Sequence, residues 1–241
     1  PQFDPGRKYP ILFYVYGEPW GQTVQDDYGY NEWLWHLMLT QQGYIVASVD
    51  NRGTPAPRGR AWRKAPLHQF GALRVHDQSL AAKEILKRPY VDTSRVGVWG
   101  WSGGGSSTLL LMFRAADVYK VGMSVAPVPD IRNYDTIYQE RYVGLPSTDS
   151  AAYYDGSAIN FAKGLQGDLL VVHGSGDDNV HYQGTEQLVN ALVAAGKPFT
   201  MMTYPNRTHG IFEGPGTTVH LYNLLTRYLK ENLASRLDVR P

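Results

Sequence analysis

The stretch "VGVWGWSGGGSST", residues 96–108, decides the fold. Val96, Val98 and Trp99 suit a half-buried pleated strand, because β-branched and aromatic side chains pack well there. The glycines end that pattern, and Ser106 to Met112 reads as the first turns of a buried helix. Ser102 therefore stands in a turn between strand and helix, boxed by residues small enough to let the chain reverse sharply.

Outward from this turn, apolar runs of strand length recur at 11–17, 44–50, 95–100, 121–127, 168–174 and 199–205. They are continuous more than alternating, which suits strands buried on both faces of a parallel sheet. Segments with helical spacing lie between them, at 31–43, 73–89, 106–116, 184–196 and 219–233, several ending in Gly or Pro. The alternation predicts a single α/β domain with a doubly wound, mostly parallel sheet and helices on both faces. A chain of 241 residues with 43% hydrophobic and 19% charged content is large enough to bury such a core. Stretches 51–70, 128–166 and 206–218 are rich in Pro, Gly, Arg, Asn and Tyr and read as long loops or irregular insertions. In open parallel sheets ligands bind beyond the carboxyl ends of the strands, so the loops that follow strands are the place to look for function.

Composition excludes several classes of function. The net charge is +1 and the basic residues are scattered, so no electrostatic footprint for nucleic acid is present. No apolar run approaches the roughly 18 residues of a membrane span, and no secretory leader pattern opens the chain. With no cysteine there is neither disulfide nor thiolate chemistry. Neither H-E-x-x-H nor G-x-x-x-x-G-K-[ST] occurs, and no metal or cofactor is expected. The opening residues lack methionine and reach an apolar strand almost at once, which implies a domain taken from a longer chain. The tail "LDVRP" (237–241) reads as linker.

Gly100-Trp101-Ser102-Gly103-Gly104 matches G-x-S-x-G, the nucleophile elbow of α/β-hydrolases. The sharp turn strains the serine backbone and lifts its hydroxyl clear, while the helix behind brings the Gly103 N–H and a positive dipole end toward an oxyanion. A serine hydroxyl needs a base to take its proton, and the base needs a carboxylate to hold it, in chain order Ser, acid, His. The run 168–174 leads into Asp177 and Asp178, and the run 199–205 leads into His209, each on a loop at a strand's carboxyl end. His36, His76 and His220 fall in helices, His68 precedes the acid, His173 closes a strand and His181 shares the aspartate loop, so His209 is the expected base. The residues alone leave Asp177 and Asp178 open, since paired acids also form turns. A second oxyanion donor is expected after an early strand, where Tyr16 offers a phenol; a strand-end tyrosine is equally often packing.

At these positions the chain resembles the prolyl oligopeptidases, and within them the dipeptidyl peptidase IV branch. The landmarks "VYGEP", "DNRG", "GWSGGG", "APV", "YDTIYQERYVGLP", "HGSGDDNVH" and "HGI" occur in family order over nearly the whole chain. The resemblance implies Ser102 as nucleophile, Asp177 as the acid, His209 as the base, and Tyr16 with the Gly103 N–H as the oxyanion hole. It also implies a flat apolar pocket for the residue before the scissile bond, lined by Tyr134, Tyr138, Val128, Val180 and Trp101, with Asn179 binding a substrate carbonyl. Spacing alone would put Tyr134 and Tyr138 on one face of a core helix. Three departures bear on that pocket: Gly103 stands where an aromatic usually follows the serine, Glu18 replaces a glycine, and Ile131 occupies a place often aromatic.

The resemblance further implies an N-terminal β-propeller, absent from these residues, whose acidic side chains clamp the substrate's free amine. It implies as well a homodimer and a bacterial periplasmic or extracellular location. The expected function is a serine peptidase acting on peptides, a dipeptidyl peptidase cleaving after proline or alanine. A carboxylesterase of the same fold is the first alternative, separable by its preference for short esters. A non-catalytic binding module is the second, separable by failure to react with a fluorophosphonate.

Overall fold

The computed structural model describes residues 3–29 and 31–234; the tail "LDVRP" lies outside them. Among the described residues six strands form one sheet: β1 (Tyr9–Tyr14), β2 (Ile45–Ser48), β3 (Val91–Trp101), β4 (Val121–Val125), β5 (Asp168–Gly174) and β6 (Thr200–Tyr204). Every pairing is parallel, in the order β2-β1-β3-β4-β5-β6. All six apolar runs of the sequence are strands of this sheet.

Helices cover both faces, and the pleat divides the core between them. Along β1, Ile11 and Phe13 join one cluster with Val96, Val98 and Val171, covered by α3 (Phe70–Ile85), α4 (Gly103–Arg114) and α7 (Tyr182–Ala194) through Ala82, Met112 and Leu188. Leu12 turns to the other face, with Trp99, Met123 and Val172, under α1 (Asn31–Gln41) and α8 (Thr217–Asn232) through Leu39 and Leu225. Burial of this kind contributes roughly 25 cal/mol per Å² of apolar surface, so the sheet is the main source of stability.

The insertions are more ordered than their composition suggests. Residues 51–70 hold α2 (Gly59–Lys64), and residues 128–166 hold α5 (Thr136–Val143), α6 (Ser150–Gly156) and two 3₁₀ turns, Ile131–Asn133 and Ala158–Gly164. The Asp135 side chain caps α5 by accepting from the Tyr138 N–H. Helix α4 starts at Gly103, three residues before the helix read from sequence, because the turn at Ser102 and close packing on neighbouring backbone override the poor helix propensity of three glycines.

The topology also fixes where ligands can enter. The chain passes from β1 outward to β2, then returns to place β3 on the other side of β1, so the connections leaving β1 and β3 diverge. A crevice opens at that switch point, beyond the strands' carboxyl ends. The loop carrying Tyr16 and the turn carrying Ser102 meet there.

Candidate active site

Strand β3 lies in register with β1 (Tyr14 opposite Trp99) and with β4 (Trp101 opposite Val125), so three strand ends surround Ser102. Its backbone has φ 59° and ψ −121°, a conformation that costs a non-glycine residue of order 1–3 kcal/mol. The surroundings hold it there. The Ser102 N–H donates to the Val125 carbonyl at 2.9 Å, and its own carbonyl accepts from the Ser106 N–H at 3.0 Å. Gly100 and Gly104 are required for the turn to close: a Cβ at either would stand 2.3 Å from the Val15 carbonyl oxygen.

Asp177 sits just past β5, with its side chain wholly buried. Its Oδ1 accepts the N–H groups of Asn179 (3.0 Å) and Val180 (2.8 Å). Its Oδ2 accepts from His209 Nδ1 at 2.7 Å and from His173 Nε2 at 3.0 Å. Burial pushes the carboxyl's pKa up, but the bonds from His173, His209 and Val180 outweigh it and hold the group well below the ordinary carboxylate range. The structure thereby separates the two aspartates, since Asp178 is exposed.

Because Nδ1 of His209 faces a carboxylate, that nitrogen carries the proton and Nε2 keeps its lone pair. The histidine's own loop is pinned by Trp101, whose indole N–H donates to the His209 carbonyl at 2.9 Å. Ser102 and His209 line the same cleft without a closed hydrogen bond between them. Such bonds are often long in ligand-free enzymes and tighten when substrate binds.

His173 is a site residue that sequence reading passed over. Its Nε2 faces two acceptors, Asp177 Oδ2 and the Val180 carbonyl (3.0 Å), so Nε2 carries the proton and Nδ1 accepts from the Thr185 hydroxyl at 2.6 Å. A histidine four residues before the acid, at the buried end of a strand, was the available signal. Three other histidines have structural partners. His36 accepts from the Trp99 indole at 3.0 Å, and burial lowers its pKa to about 4. His220 pairs with the Tyr204 hydroxyl, and His76 lies beside Asp77.

A cleft of about 340 Å³ opens in front of Ser102, within the range of small-ligand sites. Tyr16, Trp101, Gly103, Val128, Ile131 and Tyr134 contribute to its walls. Burial, with Glu18 next, pushes the Tyr16 phenol's pKa far up while Arg74 draws it back, so the phenol remains a hydrogen-bond donor. Tyr134 is not on a helix face: it is extended, ahead of α5, and packs edge-on against Tyr138 at 5.8 Å. Its hydroxyl donates to Asn179 Oδ1 at 3.1 Å, which turns the Asn179 amide N–H₂ outward as a donor. Val180 belongs to the apolar cluster behind this wall, with Val128 and Ile131. Tyr138 lines the cleft floor and donates to Glu18.

Among the described residues no cluster of three His, Cys, Asp or Glu side chains suits a metal ion, and no helix is long and apolar enough to cross a membrane. The parallel sheet, the helices on both its faces and the strained serine between β3 and α4 define an α/β-hydrolase. The chain belongs to the prolyl oligopeptidase family, whose sequence profile matches residues 30–236. It is 36% identical over 236 residues to mouse prolyl endopeptidase FAP and 38% identical over 237 residues to cat dipeptidyl peptidase 4. Each alignment covers 96% of this chain, which spans about 30% of the length of those relatives. The crystal structure of Porphyromonas gingivalis dipeptidyl peptidase 4 superposes with a TM-score of 0.91 at 44% identity, over 96% of this chain and 32% of that one.

Proposed function

We propose that this chain is the catalytic domain of a serine peptidase that removes dipeptides by cleaving after proline or alanine. The observation that carries the reading is the 2.7 Å bond between His209 Nδ1 and the buried Asp177 carboxylate, at the rim where Ser102 opens into the cleft. His209 Nε2 takes the Ser102 proton as the hydroxyl attacks the carbonyl carbon. The imidazolium is stabilised by Asp177 and returns the proton to the leaving amine. The Gly103 N–H and the Tyr16 hydroxyl receive the charge that develops on the carbonyl oxygen. Water then attacks the acyl-enzyme by the same route in reverse.

The pocket favours proline for physical reasons. The ring packs against the aromatic faces of Tyr134 and Tyr138, and a residue without an N–H strands no donor when water leaves. Asn179 offers its amide N–H₂ to a substrate carbonyl. In this reading the acidic clamp for the substrate's free amine comes from outside these residues, so tests belong on the full-length protein.

Two measurements decide the matter. A fluorophosphonate should form an adduct that maps to Ser102, and a Xaa-Pro anilide should be turned over faster than short acyl esters of equal length. Rapid hydrolysis of esters with no anilide cleavage would overturn the peptidase reading. Within that assay Tyr16→Phe, which removes one oxyanion donor and little else, should lower kcat by about 10²–10³-fold with KM nearly unchanged. An unaltered kcat would remove Tyr16 from the oxyanion hole.

A further inference from the structure

Glu18 and Gly103, two of the three departures from the family pattern, turn out to be one feature. A Cβ at position 103 would stand 2.2 Å from Glu18 Cγ, so the glutamate stem fills the room that a side chain after the serine would need. Glu18 is 5% exposed, and its carboxylate meets Arg74, itself 2% exposed, at 2.8 Å between Oε1 and Nη2. That approach lies off the N–H axis, which makes it an ion pair and not an aligned hydrogen bond. The other oxygen, Oε2, accepts the Tyr138 hydroxyl at 2.5 Å.

A carboxylate in this position has a cost for acyl transfer. The reaction places negative charge on an oxygen between the Gly103 N–H and the Tyr16 phenol, and Glu18 adjoins both segments. Like charges in a water-poor site repel strongly. Resting on the peptidase reading above, we propose that Arg74 is a positioning residue for the oxyanion site, balancing the charge of Glu18 and holding together the two segments that supply the donors.

The second half of that role is also on the structure. Arg74 Nη1 donates to Ser107 Oγ at 3.0 Å, and this hydroxyl lies 2.7 Å from the Tyr16 carbonyl and 2.8 Å from the Gly103 carbonyl. The guanidinium stacks on Phe70 at 4.4 Å from the ring centre. Arg74 on α3 thus reaches the oxyanion loop after β1, the elbow after β3 and, through Glu18, the Tyr138 wall on α5. A side chain with one charge and a planar fork suits this bridging better than lysine would.

The test is a double-mutant cycle on the full-length protein, reading both fluorophosphonate labelling rate and anilide turnover. Arg74→Met should lower the labelling rate and kcat by about 50-fold while KM moves less than about threefold, because what is lost is charge balance in the transition state. Adding Glu18→Gln to Arg74→Met should restore both rates to within about fivefold of the parent, since the charge that needed balancing is gone and only the bridge through Ser107 stays lost. A double variant as slow as Arg74→Met, or an Arg74→Met protein within about threefold of the parent, overturns the proposal. Should Arg74→Met fail to fold, Glu18→Gln alone decides: it keeps the stem and an acceptor oxygen, so labelling should hold or quicken, and a loss beyond about tenfold overturns the proposal. A parent protein that labels but leaves the anilide intact fails the peptidase reading alone, because the labelling rates still test the pair.

Discussion

Ser102→Ala should lower kcat by about 10⁶-fold, leaving the small residual rate that an oxyanion hole and binding can supply without a nucleophile. The size follows from how the parts depend on one another. In the proposed mechanism His209 has no proton to take once the hydroxyl is gone, so the Asp177–His209 bond contributes nothing to the chemical step, and the three groups fail as a unit. Stability should change little. The bonds Ser102 makes to Val125 and Ser106 come from its main chain, which alanine retains, and alanine tolerates the positive φ no worse than serine does. A thermal midpoint within a few degrees of the parent, with fluorophosphonate labelling abolished, is the expected pair of results. Retention of more than about one per cent of kcat would mean that another group attacks the carbonyl.

The central strands were legible because burial on both faces of a parallel sheet forces unbroken apolar runs bounded by turn residues, whereas the equally apolar run Leu109–Phe113 belongs to the buried helix α4. The elbow was legible because its geometry admits so few residue types: Gly100 and Gly104 lie against the Val15 carbonyl, and no other side chain fits there. His209 was reached by elimination among the seven histidines, and in the structure it bonds Asp177 and lines the cleft with Ser102. The aspartates could not be separated by such logic. What distinguishes Asp177 from Asp178 is a single residue's difference in direction, one carboxylate turned inward onto two backbone N–H groups and two imidazoles, the other outward to water.

The insertion over 128–166 was harder to read because its helices are short and one of them, α5, faces the cleft. In α5 the buried positions are Gln139 and Val143, with Tyr138 bonded to a carboxylate, so no apolar stripe announces the helix. The four-residue spacing of Tyr134 and Tyr138 resembles a helical face, yet Tyr134 stands in extended chain, and the two rings meet through the bend ahead of the helix. His173 and Arg74 were hidden for a related reason. Each acts on the site through another side chain, and a sequence shows what a residue is without showing what it touches.

Asp177→Asn should lower kcat by about 10⁴-fold at neutral pH, and the reason lies in which way an amide must point. The Asn179 and Val180 N–H groups require an acceptor at the Oδ1 position, so the amide oxygen goes there and the N–H₂ group faces His209 and His173. Two donors then confront each other. His209 can escape only by moving its proton from Nδ1 to Nε2, and in that tautomer it cannot take a proton from Ser102. The same carboxylate carries a pH signature. Its folded-state pKa is depressed, so its contribution to stability is complete above the unfolded value of about 3.9 and drains away as pH falls toward the folded value. Denaturant unfolding should accordingly show a stability gap between parent and variant that is level from neutral pH to about pH 4 and narrows below it. A gap that widens on acidification would contradict the depressed pKa. A variant turning over within about tenfold of the parent would show that His209 finds its orientation without Asp177.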